Sequence, residues 1–275
     1  MQDILVYTDN FRRPWKPAIE YAGRLAATLG ASLTGAYVYP SPLYTAPRYS
    51  APALIEAIFE NARTLESEAA AAHEPFVQWA RALGVARPAW HVAEGYLPDA
   101  LAQIGTWHDL LVLDVNDDET WGSPADVATL VMASHLPTIV VPADVREAKL
   151  DCVALAWNGA PEAVRAIHAA LPLLQRAKRV VLLRGAPRNG FLDITWKPPF
   201  EIETHLRRHG VTFDEREIGA DDEHAGAAIL AAADKVNASL IVMGAYGRTR
   251  FSEWALGGAT RHVLNHTRLP VFMRH

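Results

Sequence analysis

The sequence predicts an α/β chain built twice over, each half a parallel sheet covered by helices on both faces. Two observations carry this. Short apolar, β-rich runs alternate with longer helical stretches along the whole chain, the pattern of strand–helix–strand units. The order of elements then recurs: Asp109-Leu-Leu-Val-Leu113 parallels Ser239-Leu-Ile-Val-Met243, and His135-Leu-Pro137-Thr-Ile-Val parallels Arg268-Leu-Pro270-Val-Phe-Met. A repeat of ~130 residues is domain-sized, so the chain is a tandem pair and not a short-period solenoid. The polar link Ala143–Lys149 divides it, giving domains 1–143 and 149–275.

Within the first half, Ile4–Thr8 reads as a strand and Trp15–Leu29 as a helix. Ser32–Tyr39 is the second strand. A long Ala/Glu-rich helix follows from Pro52 to Leu83, with Pro75 expected to bend or divide it. Ala89–Val92, Leu110–Leu113 and Pro137–Pro142 complete the strands, with helices over Pro98–Thr106 and Ala125–Ser134. In the second half the strands are Cys152–Ala156, Arg179–Leu183, Val211–Glu217, Leu240–Met243 and the terminal Leu269–Met273. Helices fall at Pro161–Gln175, up to His209, at His224–Lys235 and at Leu256–His266. Proline opens the first of these, as suits a helix start.

Composition narrows the function. A net charge of -5 over 275 residues gives no footprint for nucleic acid or an anionic membrane. No apolar run approaches the ~20 residues that span a bilayer. Cys152 is the only cysteine, so no intrachain disulfide forms and a cysteine-based zinc site is excluded. It lies in an apolar run and reads as a core residue. These features, and a strand beginning directly at the N-terminus, lead us to expect a cytoplasmic protein.

The chemistry concentrates near the C-terminus. The apolar run Leu240–Met243 stops at Gly244-Ala-Tyr-Gly247, and after nine residues Gly257-Gly258-Ala-Thr260 opens a helix. A strand leading through a loop into a helix N-terminus offers convergent backbone N–H groups and a favourable dipole to an anion. Glycines let the anion reach the main chain. The alternative is a tight strand-to-helix turn with no ligand. Arg248 and Arg250, with Arg261 and His262, make this end cationic; they neutralise phosphate or are simply solvated. The first half has Asp114-Val-Asn-Asp117 and then Asp118-Glu119 at the corresponding place, carboxylates that repel a polyphosphate.

The glycine spacing, G-x-x-G, nine residues, then a glycine pair, resembles that of the universal stress protein family in its tandem form. The resemblance covers nearly the whole chain. It implies a five-stranded Rossmann-like fold per domain, with Thr138–Val141 and Val271–Met273 pairing the halves into an internal pseudo-dimer. In nucleotide-binding members, an Asp after the first strand contacts adenine, and the glycine amides and a Ser/Thr hold phosphate. Asp9 stands at the adenine position in the first half, where the glycines are missing. In the second half the glycines are present, but Asn158 replaces the Asp and Gly258 stands where a Ser or Thr is usual. Asn keeps an acceptor and a donor for an adenine edge, and Thr260 is the nearest replacement hydroxyl. Trp157 either stacks on a base or fills the adenine place.

The candidate nucleotide site is therefore Trp157, Asn158, Gly244, Gly247, Arg248, Gly257, Gly258 and Thr260, for ATP with Mg²⁺ or a related adenine nucleotide. No GxSxG elbow, P-loop or GxGxxG fingerprint occurs. No catalytic residue is named, and a non-catalytic stress-response sensor or adaptor with an unidentified protein partner is the leading reading. A ligand-free scaffold and a weak Mg²⁺-dependent nucleotide hydrolase are the alternatives; the latter would draw carboxylates from Asp221, Asp222 and Glu223. His205/His209 and His262/His266 have the i, i+4 spacing of metal ligands, but no motif accompanies them and no metal ligand is assigned. Long helices left outside the paired halves are a surface for homodimer formation.

Overall fold

The computed structural model describes residues 1–45, 51–115, 122–185, 201–219, 224–245 and 258–275. Two compact units emerge: Met1–Leu136 with Val141–Ala148, and Pro137–Val140 with Lys149–His275. Each is an α/β unit with Rossmann-like strand order.

In the first unit, β1 (Asp3–Tyr7), α1 (Pro17–Leu29) and β2 (Ser32–Tyr39) are followed by a four-residue α2 (Pro42–Thr45), which the sequence reading did not anticipate. Next come α3 (Pro52–Ala71), α4 (His73–Ala82), β3 (Pro88–Glu94), α5 (Leu97–Gly105), β4 (Leu110–Val115), α6 (Pro124–Ser134) and β5 (Thr138–Pro142). The strand order is β3-β2-β1-β4-β5, and β1 is parallel to both β2 and β4. The continuous apolar runs Ile4–Val6 and Leu110–Leu113 are fully buried, as expected of strands covered on both faces. Proline stands at the first or second position of α1, α3, α5, α6 and α7, where its missing N–H costs nothing.

The long second helix does divide, but at Ala72 and not at Pro75. A proline cannot donate to the carbonyl four residues back and crowds it. The chain therefore restarts as α4 at His73, which places Pro75 in the first turn, where no donor is needed. Over this region lies an aromatic cluster: Trp15, Phe76, Trp79 and Trp90 pack with ring centroids 5.1–6.2 Å apart. The Trp90 indole N–H donates to Ala69 O at 2.8 Å, tying β3 to the end of α3.

The second unit contains β6 (Val153–Trp157), α7 (Pro161–Leu174), β7 (Val180–Arg184), α8 (Ile202–Arg208), β8 (Asp214–Glu217), α9 (Ala225–Lys235), β9 (Leu240–Gly244), α10 (Gly258–His266) and β10 (Val271–Arg274). Strand order is β10-β9-β6-β7-β8, parallel throughout. Thr138–Val140 runs antiparallel to β10, pairing Thr138 with Met273 and Val140 with Val271. The third strand is shorter than Val211–Glu217: Val211 is held in the turn after α8, its N–H donating to Leu206 O. What remains, Asp-Glu-Arg-Glu, is exposed at every position, a charged edge of the kind that discourages pairing with other chains.

Gly35 in β2 lies under Trp90 and Phe76, and a Cβ there would come within 2.5 Å of the indole and 2.9 Å of the phenyl ring. Gly35→Ala is expected to destabilise the first unit by about 1–3 kcal/mol through overpacking, read as a lower urea midpoint with unchanged slope.

Candidate functional site

In an open parallel sheet, a crevice forms outside the carboxyl ends of the two strands where the connections diverge to opposite sides. In the second unit those strands are β6 and β9, which lie side by side, with β7 beyond β6 and β10 beyond β9. Trp157 ends β6, half-buried, in register with Arg184 of β7, and its carbonyl accepts the Gly185 N–H at 2.8 Å. Asn158 follows. Its side-chain carbonyl accepts the Ala160 N–H at 3.1 Å, a local turn that leads the chain into α7. Gly159, between them, has φ +77°, which glycine adopts without strain.

Gly244 ends β9 beside them, and its surroundings explain its identity without a ligand. A Cβ at this position would lie 2.5 Å from Ala163 N and 2.6 Å from the Glu162 carbonyl carbon. The first turn of α7 thus presses directly on the end of β9. Glu162 in that turn is buried and pairs with Arg165 at 3.2 Å; an acid here suits the helix dipole. Beyond Gly244, the Ala245 N–H donates to Arg274 O at 3.0 Å. Burial and the nearby Arg165 push the Arg274 guanidinium below its usual range.

Gly258 opens α10, and a Cβ built on it meets no described atom within 4 Å. Thr260, one turn-face further, is buried and already engaged with its surroundings. Of the sequence-named residues, the structure therefore gathers Trp157, Asn158 and Gly244 at the β6–β9 crevice and places Gly258 and Thr260 in the first turn of α10. Gly247, Arg248 and Gly257 lie outside the described residues, as do Arg250, Asp221, Asp222 and Glu223.

The first unit has the same divergence between β1 and β4, and a different answer at it. Asp9 follows β1, Asp114 lies in β4, and both pair with the Lys16 ammonium, Asp114 at 3.4 Å. Asp114 is buried. Burial raises its pKa above the usual carboxylate range and Asp9 adds to this, while Lys16 pulls it back. Burial also works against the Lys16 charge, but the two carboxylates outweigh it and hold the ammonium above its ordinary pKa. Tyr7 beneath them is driven up by burial, then by Asp9 and Asp114. Asp9, at the position that resemblance links to adenine, is thus committed to an internal ion pair.

Sequence reasoning missed Lys16. A signal was present: Lys16 is the residue before Pro17 at the start of α1, where a cap residue or an acid is favoured and a cation is not. A lysine against that preference implies a carboxylate partner. Asp114 and Gly244 occupy matching positions, as do Asp9 and Asn158, and the helix that follows is capped by Lys16 in one unit and by Ala160 in the other. Glycine lets a helix start sit on the strand end; aspartate fills that place and needs a counter-ion.

Both units thus share one strand order and one pair of strands at which the connections diverge. Residues 152–275 match the family model described as "Universal stress protein family", and the second unit belongs to that family. Over its length the chain is similar to a universal stress protein from Archaeoglobus fulgidus, at TM-score 0.69 and 16% identity, covering 99% of this chain and 95% of that one. A functionally unknown protein from Pseudomonas aeruginosa has TM-score 0.59 at 14% identity, with 100% and 92% covered. A putative universal stress protein from the same species has TM-score 0.58 at 16% identity, with 100% and 93% covered. At such identities the likeness is one of fold. No curated protein matches the chain.

Two substitutions test the contrast. Lys16→Met strands two carboxylates, one of them buried, and is expected to destabilise the first unit by about 3–5 kcal/mol at neutral pH, with part of the loss recovered in acid as the carboxyls protonate. Gly244→Ala must move α7 and is expected to cost the second unit about 1–3 kcal/mol. Urea unfolding at pH 7 and pH 4.5 reads the first; a thermal melt reads the second.

Proposed function

We propose that this chain is a cytoplasmic, non-catalytic stress-response sensor or adaptor whose second unit binds ATP or a related adenine nucleotide. The observation that carries the reading is the asymmetry of the two crevices. Lys16 satisfies Asp9 and Asp114 in the first unit, whereas no such ion pair closes the β6–β9 crevice among the described residues. The base would lie against Trp157 and Asn158. Phosphate would lie toward the α10 N-terminus at Gly258, away from the buried Glu162 carboxylate that sits by Gly244. Arg248, which lies outside the described residues, is the cation that the sequence offers to the phosphates, and Mg²⁺ would accompany the polyphosphate. No described helix is long and apolar enough to cross a membrane.

Binding would act by favouring one state of the second unit, which a protein partner then reads. A ligand-free scaffold is the second reading, favoured by two observations. The Asn158 carbonyl is already used by Ala160 N–H, and Gly244 is explained by helix packing.

Calorimetry of the full chain with ATP, with and without Mg²⁺, separates them. We expect one nucleotide per chain and no turnover, with binding lost in Gly247→Asp. Gly258→Ser adds a hydroxyl where a Cβ meets no described atom and is expected to tighten binding about fivefold, the worth of ~1 kcal/mol for one hydrogen bond. Absence of heat at millimolar ATP in both the natural chain and Gly258→Ser would establish the scaffold.

A further inference from the structure

Away from both crevices, the second unit carries three imidazoles in contact. His168 on α7 stacks on His205 of α8, with centroids 4.5 Å apart and planes 23° from parallel. His209, one turn further along, has its ring centroid 4.5 Å from that of His205, with the planes tilted by 53°. The middle ring is the constrained one. His205 Nε2 is shut off from solvent and has no hydrogen-bond partner among the described residues. Among those residues, no three His, Cys, Asp or Glu side chains are arranged to hold a metal ion. The chemistry left to the stack is gain and loss of protons.

The charges facing the stack oppose a further proton. From α7 comes His168; from α8 itself come His209 and Arg208, and all three disfavour charge on His205, although burial is the larger influence on it. Arg207, also on α8, lies over Phe213. The nearest carboxylate of α8, Glu203, pairs with Arg184 of β7, which also pairs with Glu215 of β8. No described acid is paired with any of the three rings. The remaining tie between α7 and the end of α8 is one hydrogen bond, Gln175 Nε2 to His209 O at 3.0 Å. Only Ile202 and Leu206 of α8 are buried, so the helix is weakly anchored.

We propose that α8 is a proton-operated latch: the neutral His205 ring, packed between α7 and the end of α8, holds the helix in place, and charging His205 beside His168 and His209 releases it as pH falls. Two like charges 4.5 Å apart repel, and a proton on His205 Nε2 creates a buried cationic N–H with no acceptor. The sign follows from the depressed affinity of His205 for protons. The released state binds them more readily, so docking is complete above about pH 6.5, the ordinary imidazole value. Docking is lost progressively as pH falls from there through the lower value His205 has when docked. A stress-type domain would thereby couple its β7–β8 connection to acidification, with no need of a nucleotide.

Hydrogen exchange of the full chain, followed by mass spectrometry and expressed as protection factors to remove the intrinsic pH dependence, tests this. Protection of Ile202–Arg208 is expected to fall about threefold or more between pH 7.5 and pH 5.5, up to the roughly tenfold that one imidazole can supply over this range, while β6 and β9 stay protected. His205→Gln, which cannot charge, is expected to abolish the fall. His209→Gln, an exposed and milder change, should reduce it and guards against a misfolded first variant. Equal protection of α8 at both pH values in the natural chain overturns the proposal. So does an undiminished fall in a folded His205→Gln or in His209→Gln.

Discussion

Each unit depends on how the start of its first helix meets the end of its fourth strand. A parallel sheet buried on both faces leaves its carboxyl edge as the place where backbone and side chains must be satisfied by what lies above. In the second unit the contact is backbone on backbone, with Ala163 N and Glu162 set against Gly244. In the first, Asp114 takes the glycine's place, and the contact becomes electrostatic through Lys16. The same topology is thus closed once by steric fit and once by charge.

That choice decides what each edge has left to offer. Lys16 pairs with both Asp9 and Asp114, one positive charge shared between two carboxylates, so the first crevice has a cation built into the chain. A buried ion pair of this kind adds little net stability over an apolar substitute, but removing one partner is costly. Such an arrangement is retained more easily than it is undone. In the second unit the glycine contact itself consumes no charge.

The β7–α8–β8 connection answers to a different constraint. Its edge strand is fully exposed and charged, and its helix buries only two residues. With so little apolar area, polar contacts set how firmly the helix is held. Arg184 binds one end through Glu203 and Glu215. The other end is held by the contacts of His205 with His168 and His209.

Much of the fold could be read directly. Alternating apolar runs and helical stretches gave the strands of both units to within a few residues, because buried parallel strands are written as uninterrupted Val/Ile/Leu runs such as Leu110–Leu113 and Leu240–Met243. The duplication was legible in His135–Val140 and Arg268–Met273 for the same reason. The end of β6 at Trp157, with Asn158 after it, was legible in the same way. The sequence did not reveal that Gly244 is a packing glycine, since a close approach by Ala163 from 81 positions away leaves no local trace. Nor did it join Lys16 to Asp114, 98 residues distant, or His168 to His205. Local chemistry determined the elements and their order. Only the tertiary structure decided which side chains would be forced together at the sheet's carboxyl edge and over α8, because those meetings are set by distance in space between elements whose sequences carry no mark of one another.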